Sequence, residues 1–103
     1  MPKQSPTRAT CTESLKLLAD YWTLRIIESL ASGQLRYCEI QRAVGNVNPR
    51  TLTKKLARLE EADLIKRFEE AEQIAVRYQL TALGKKALPV FTAIETFSKS
   101  AQK

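Results

Sequence analysis

Apolar residues recur along this chain in distinct rhythms, and each rhythm predicts an element. From Thr10 or Cys11 a helical period sets in, with Leu15, Leu18 and Trp22 spaced for one face. After Ala19 and Asp20 the run YWTLRIIESLASG puts Trp22, Ile26, Ile27 and Leu30 on an inward stripe, and Gly33 is the expected stop. Because Trp22 is in phase with its aliphatic neighbours, it reads as a packing residue and not as a ligand-stacking one. Gln34 to Val44 continues in the same period, with Tyr37, Ile40 and Val44 inward and Arg36, Glu39 and Arg42 outward. Gly45 and Asn46 then break the pattern.

The best-defined helix comes next, over NPRTLTKKLARLEEA from Asn48 to Ala62. Asn48 is a favourable N-cap, and Pro49 suits the first helical position, where no backbone N–H is needed. Leu52, Leu56 and Leu59 form its inward stripe, which Ala62 and Leu64 continue out of the helix. Arg50, Lys54 and Ala57 point the other way, flanked by Thr51, Thr53 and Arg58. The outer face of the first two turns is therefore basic, hydroxylated and low in bulk, which fits the major groove of DNA. Two short helices joined by a Gly-containing turn, the second basic on its outer face, form a helix-turn-helix.

The period then changes from helical to alternating. LIKRFE, Leu64 to Glu69, is rich in β-branched and aromatic character, while Ala75 to Leu80 places Val76, Tyr78 and Leu80 on one side and Arg77 and Gln79 on the other. EAEQI joins them as the turn of a hairpin, and a hairpin directly after a helix-turn-helix is a wing. Thr81 caps a last helix through Gly84, Leu88, Phe91, Ile94 and Phe97, which Pro89 must kink or divide. The expected class is mainly α with a small β-hairpin (α+β), a winged helix-turn-helix DNA-binding domain with N- and C-terminal dimerisation helices. In residue terms, 1–9 are a flexible lead-in and 10–103 one domain, with the recognition helix at about 49–62, the wing at about 64–80 and the C-terminal helix at about 82–100.

Composition narrows the function. With 103 residues and 44% apolar content, the chain has material for one modest core and no second catalytic domain. Its formal charge of +6 is concentrated. Between Ser32 and Arg58, Arg36, Arg42, Arg50, Lys54, Lys55 and Arg58 face a single acid, Glu39, whereas acids predominate from Leu59 to Arg77. The absence of histidine removes the usual metal sites and His-dependent catalysis, so no enzyme, no metal and no cofactor is expected. No apolar run is long enough for a membrane span and MPKQSPTRAT lacks a signal-peptide core, so a cytoplasmic location is expected. Cys11 and Cys38 are too few for a disulfide framework and read as thiols.

The last helix carries Leu83, Ala87, Val90, Phe91, Ile94 and Phe97, more apolar surface than three short helices and a wing cover. The simplest partner is the same helix, or the N-terminal helix, of a second copy. The expected dimer interface is Leu15, Leu18, Val90, Phe91, Ile94 and Phe97; the alternative is a helix folded back on its own core.

Taken together, W-T-L at Trp22 to Leu24, N-P-R-T-L at Asn48 to Leu52, L-x-x-L-E-E-A from Leu56 to Ala62 and L-T-x-x-G from Leu80 to Gly84 resemble the HxlR-type winged helix-turn-helix regulators, relatives of the MarR-like regulators, over about residues 11–97. The resemblance implies a prokaryotic homodimeric transcriptional regulator, with the helix from Pro49 in the major groove and the hairpin near the adjacent minor groove or backbone. Double-stranded DNA, as a near-palindromic operator, is the implied partner. Arg50, Thr51, Thr53, Lys54 and Arg58 are the candidates for the groove, Arg36, Arg42 and Lys55 for the backbone, and Arg77, with Lys66 and Arg67, are weaker candidates at the strand bases. Some members sense oxidants or electrophiles through a cysteine placed like Cys11, ahead of the first helix. Here Cys11 is either such a sensor or an inert, partly buried thiol, and with no visible activator the inert reading is the stronger. A small effector between subunits is a further implication that no polar constellation marks.

Two departures stand out. The wing tip, Glu70, Ala71, Glu72 and Gln73, is acidic where prolines and a base are usual, and Ala75 replaces a common arginine. Ala19-Asp20 stands where glycines and a lysine usually precede the tryptophan, a change expected to affect only the helix junction. The acidic wing keeps a second class open, a winged-helix module that docks protein without specific DNA binding.

Overall fold

A computed structural model of the chain describes residues 8–69 and 76–102. The elements run α1 (Arg8–Leu18), α2 (Tyr21–Ser29), β1 (Leu35–Arg36), α3 (Tyr37–Ala43), α4 (Pro49–Glu61), β2 (Ile65–Glu69), β3 (Val76–Leu80), α5 (Ala82–Lys85) and α6 (Leu88–Ala101). The hairpin turn EAEQI, the wing-tip acids and Ala75 lie outside the described residues.

Helices α2, α3 and α4 and the sheet enclose one core. Ile26 and Ile27 of α2, Ile40 of α3, Leu52 and Leu59 of α4 and Ile65 of β2 are all but inaccessible, and Leu30, Val44, Val47, Leu56, Leu64, Tyr78, Leu80 and Ala87 complete the cluster. Each such aliphatic side chain stabilises the fold by about 1.5–3 kcal/mol relative to an exposed one. The stripe expected on α4 is therefore the side by which this helix rests on the core.

The sheet has order β1-β3-β2, with both pairs antiparallel. Its outer strand was expected to be helical. The helix predicted from Gln34 begins only at Tyr37, because the Arg36 backbone is extended and its N–H donates to Glu39 Oε1 at 2.8 Å. Leu35 and Arg36 instead pair with Tyr78 and Arg77 of β3, extending the hairpin to three strands.

The N-terminal helices also differ from expectation. Helix α1 reaches back to Arg8, so Cys11 lies within it and not ahead of it. Leu15, Leu18 and Trp22 do not share a face. The chain breaks at Ala19–Asp20, so the spacing does not carry from α1 into α2: Leu15, 65% exposed, and Leu18 line one apolar cavity, whereas Trp22 on α2 packs against the core outside it. Helix α2 ends at Ser29, short of Gly33, with the Ser29 hydroxyl donating to the Ile26 carbonyl at 2.7 Å.

The L-T-x-x-G run joins wing to C-terminal helices. Thr81 Oγ1 accepts from the Gly84 N–H at 3.0 Å and donates to the Asp63 carbonyl at 2.7 Å, and the Thr81 N–H donates to the Leu64 carbonyl at 3.0 Å. Pro89 divides the last helix as expected, standing in the first turn of α6, where its missing N–H costs no hydrogen bond.

Candidate nucleic-acid interface

The turn between α3 and α4 sets how α4 is presented. Gly45 (φ 98°) and Asn46 (φ 60°) are both left-handed, a conformation that glycine and asparagine adopt most readily. The Asn46 N–H returns to the Gln41 carbonyl at 2.9 Å, and Gln41 Nε2 donates to the Val47 carbonyl at 2.9 Å. Asn48 Oδ1 accepts from the Arg50 N–H at 2.8 Å and more weakly from Thr51 at 3.4 Å, so α4 begins sharply at Pro49. The Tyr37 hydroxyl donates to the Pro49 carbonyl at 3.1 Å and lies 3.5 Å from Thr53 Oγ1. Tyr37, expected simply as an inward residue, thus ties the first helix of the motif to the second.

On this frame Arg50, Thr53 and Lys54 are exposed and Thr51 half-buried. At about 100° per residue, Arg50 and Lys54 point almost directly away from the Leu52–Leu56–Leu59 stripe. Arg42, also exposed, stands in the last turn of α3. Arg42 thus stands before the turn and Arg50 and Lys54 after it, all three exposed. Arg58 is exposed but displaced, about 12 Å along the helix axis from Arg50. It lines a concavity with Glu13, Ser14 and Leu17 of α1 and with Glu61, so acidic neighbours share its surroundings. Arg36 and Arg77 face each other across β1 and β3, half-buried, and both take part in interactions within the protein. Lys66 and Arg67 are exposed on β2, with Arg67 Nη2 3.9 Å from Glu69 Oε2.

Lys55 is not on the open surface. Its Nζ lies 3.1 Å from Asp20 Oδ1, and the two side chains are only 23% and 30% exposed. The same carboxylate caps α2, Oδ2 accepting from the N–H and the hydroxyl of Thr23, each at 3.0 Å. Burial pushes the Asp20 carboxyl up, but the Thr23 bonds and the Lys55 ammonium outweigh it, and its pKa lies below the ordinary value. The Ala19-Asp20 departure therefore reaches beyond the helix junction to α4. An acid three residues before Thr23 was legible as a cap; its bond to a lysine on another helix was not.

The sequence profile of HxlR-like helix-turn-helix proteins matches residues 17–103. The chain belongs to this family. An uncharacterized HTH-type transcriptional regulator of Methanothermobacter thermautotrophicus is 34% identical over 79 residues, covering 76% of this chain and 60% of that protein. The chain thus spans less than two thirds of that relative's length. Among solved structures, a MarR-family regulator from Porphyromonas gingivalis W83 is 30% identical with a TM-score of 0.82, covering 97% of this chain and 99% of the other. The reduced form of the transcriptional regulator YodB from B. subtilis matches in fold, at 22% identity and a TM-score of 0.81 over 94% and 95% of the two chains. The HxlR-like family assignment makes this a helix-turn-helix protein, in the winged form described above.

This HxlR-like chain leaves a broad apolar face. No residue of α6 is fully buried; Val90 is 37%, Ile94 47% and Phe97 72% exposed, and Phe91 is half-buried. With Leu15 and the half-buried Leu18, the residues expected at a dimer interface line one side of the molecule, on α1 and α6. Between these helices an apolar cavity of about 270 Å³ is lined by Cys11, Leu15, Leu18, Leu24, Val90 and Ile94. Cys11 is exposed, not partly buried, and Cys38 is exposed on α3. Among the described residues no cluster of His, Cys, Asp and Glu could hold a metal ion, and no helix is long and apolar enough to cross a membrane.

Proposed function

We propose that the protein is a homodimeric, sequence-specific DNA-binding regulator that works in the cytoplasm with residues 10–103 as one domain and no cofactor. The observation that carries this reading is the exposed Arg50–Thr53–Lys54 face of α4, held on a buried leucine stripe and started abruptly by Asn48, with Arg42 exposed on the preceding helix. Helix α4 enters the major groove, where Arg50 and Lys54 reach guanine O6 and N7 and the threonines reach phosphate or a thymine methyl. Arg42 grips the phosphate backbone, and the hairpin lies near the adjacent minor groove. A second copy covers the apolar face of α1 and α6, and the resulting two-fold symmetry calls for a near-palindromic operator.

The test is binding to a promoter fragment from the protein's own locus across a salt series, against random DNA of equal length. A steep salt slope with clear preference for the local promoter is expected; a shallow slope without preference refutes specific recognition. Arg50→Ala should relax preference at one base pair by about 1–3 kcal/mol, whereas Arg42→Ala should weaken all sequences alike and lower the salt slope by about one.

A thiol response is a second reading, favoured by the exposure of Cys11 and its place in the cavity between the two apolar helices. Loss of operator binding on diamide treatment, abolished by Cys11→Ser, is expected; unchanged wild-type binding removes the reading.

A further inference from the structure

Asp20 occupies an unusual junction. It sits where α1 gives way to α2, and α2 packs against both α4 and α6. On one side Asp20 borders a groove of about 550 Å³ whose far wall includes Phe91 and Ile94 of α6. On the other its Oδ1 receives Lys55 Nζ from the middle of the recognition helix, 35 residues along the chain. Its Oδ2 is anchored twice by Thr23, which is buried to 2% exposure, so the carboxylate cannot follow a wandering lysine. Lys55 is the partner that gives way, since its four-carbon stem is flexible and its ammonium is otherwise drawn to any nearby anion.

Lys55 also lies on a particular line of α4. Thr51, Lys55 and Arg58 follow one another at i, i+4 and i+7 along one side of α4, between its outward face and its buried stripe. Released from Asp20, the long flexible Lys55 stem is free to carry its ammonium from that side toward the outward face. The ion pair withdraws one positive charge from the surface offered to DNA and fastens the helix by its side to α2.

We propose that Asp20 is a positioning residue for DNA recognition, holding Lys55 against α2 so that this lysine does not contact phosphate and α4 keeps a fixed rotation about its axis. The inference rests on the DNA-binding reading above. It predicts a chain in which the phosphate-contacting set omits the most buried lysine of the recognition helix. Removing the Asp20 charge adds a phosphate contact and blurs base readout together.

The experiment measures binding to random DNA and to the local promoter across a salt series for the wild type, Asp20→Asn, Lys55→Gln and the double variant. Asparagine is as good an N-cap as aspartate, so Asp20→Asn preserves the start of α2 while discharging the strut. Each phosphate contact adds about 0.9 to the slope of log K against log salt, so Asp20→Asn binding should weaken about 3.5-fold more than wild type between about 50 and about 200 mM salt. Its preference for the promoter over random DNA should fall. Lys55→Gln should leave the wild-type slope unchanged, and the double variant should return to that slope. A merely structural Asp20 would change overall affinity or stability without changing the slope. The proposal is overturned if Lys55→Gln alone lowers the slope by about one, or if Asp20→Asn leaves it unmoved. Slopes are read on random DNA, so the expected pattern without promoter preference would overturn sequence-specific recognition and spare the strut. Absence of binding to any DNA would overturn both.

Discussion

Gly84→Ala should destabilise the protein, although alanine ordinarily stabilises a helix over glycine by about 0.5–1 kcal/mol. Gly84 lies inside α5 at a negative φ, so backbone strain plays no part. The obstacle is space. A Cβ at this position would run into the Leu64 carbonyl oxygen, and Leu80 Cδ2 would stand only 3.1 Å away. The carbonyl cannot step aside freely, because it already accepts the Thr81 N–H at 3.0 Å, and Leu64 and Leu80 are both core residues. Relieving the overlap requires α5 to lift from the base of the wing, which strains the Thr81 bonds to Gly84, Asp63 and Leu64 together. Overpacking of this kind costs about 1–3 kcal/mol, enough to cancel the propensity gain and leave a net loss of about 1–2 kcal/mol. In a domain of this size that corresponds to a fall of about 4–8 °C in Tm per kcal/mol. Urea denaturation of the wild type and the variant, analysed with a common m-value, measures the difference directly. A Gly84→Ala protein as stable as the wild type, or more so, would refute the close-approach explanation of the L-T-x-x-G run.

Asp20 gives a pH dependence with a definite sign. Its folded pKa is below the ordinary 3.8, so its contribution is fully present above that value and is lost as the pH falls through the folded pKa. The stability gap between wild type and Asp20→Asn, measured by urea denaturation, should therefore hold constant from neutral pH to about pH 5 and narrow below about pH 3.8; a gap that widens in acid would contradict the assignment. Tyr37→Phe removes the 3.1 Å bond to the Pro49 carbonyl, and, since this site is exposed, stability should fall by no more than about 1 kcal/mol, with a larger proportional loss of promoter binding. Unchanged binding would show that the hydroxyl does not fix the start of α4. Phe97→Glu should convert a dimer to monomers in sedimentation without unfolding the protomer, because Phe97 is 72% exposed in the single chain. A variant that sediments as the wild type does would remove α6 from the interface.

What the sequence determined by itself was local and periodic. Asn48-Pro49 fixed the start of α4, the leucine spacing fixed its inward face, Thr81 and Pro89 fixed how the C-terminal helices begin and divide, and alternation from Val76 to Leu80 fixed the strand. Each depends on residues within a turn or two of one another, where capping, φ restriction and side-chain period act directly. Even the helix-turn-helix was legible, because its turn announces itself through Gly45 and Asn46. Tertiary structure decided the rest. Leu35-Arg36 became a strand because β3 offered an open edge and Glu39 closed the helix behind it. Trp22 left the face of Leu15 and Leu18 because a break at Ala19–Asp20 reset the phase. Lys55 and Arg58 carry the same charge on the same helix, yet one is tied to Asp20 and the other stands among acids on the α1 side. A charge on a helix is read as a solvated or binding group until the neighbouring helix is known, and no period within α4 encodes what α2 places beside it.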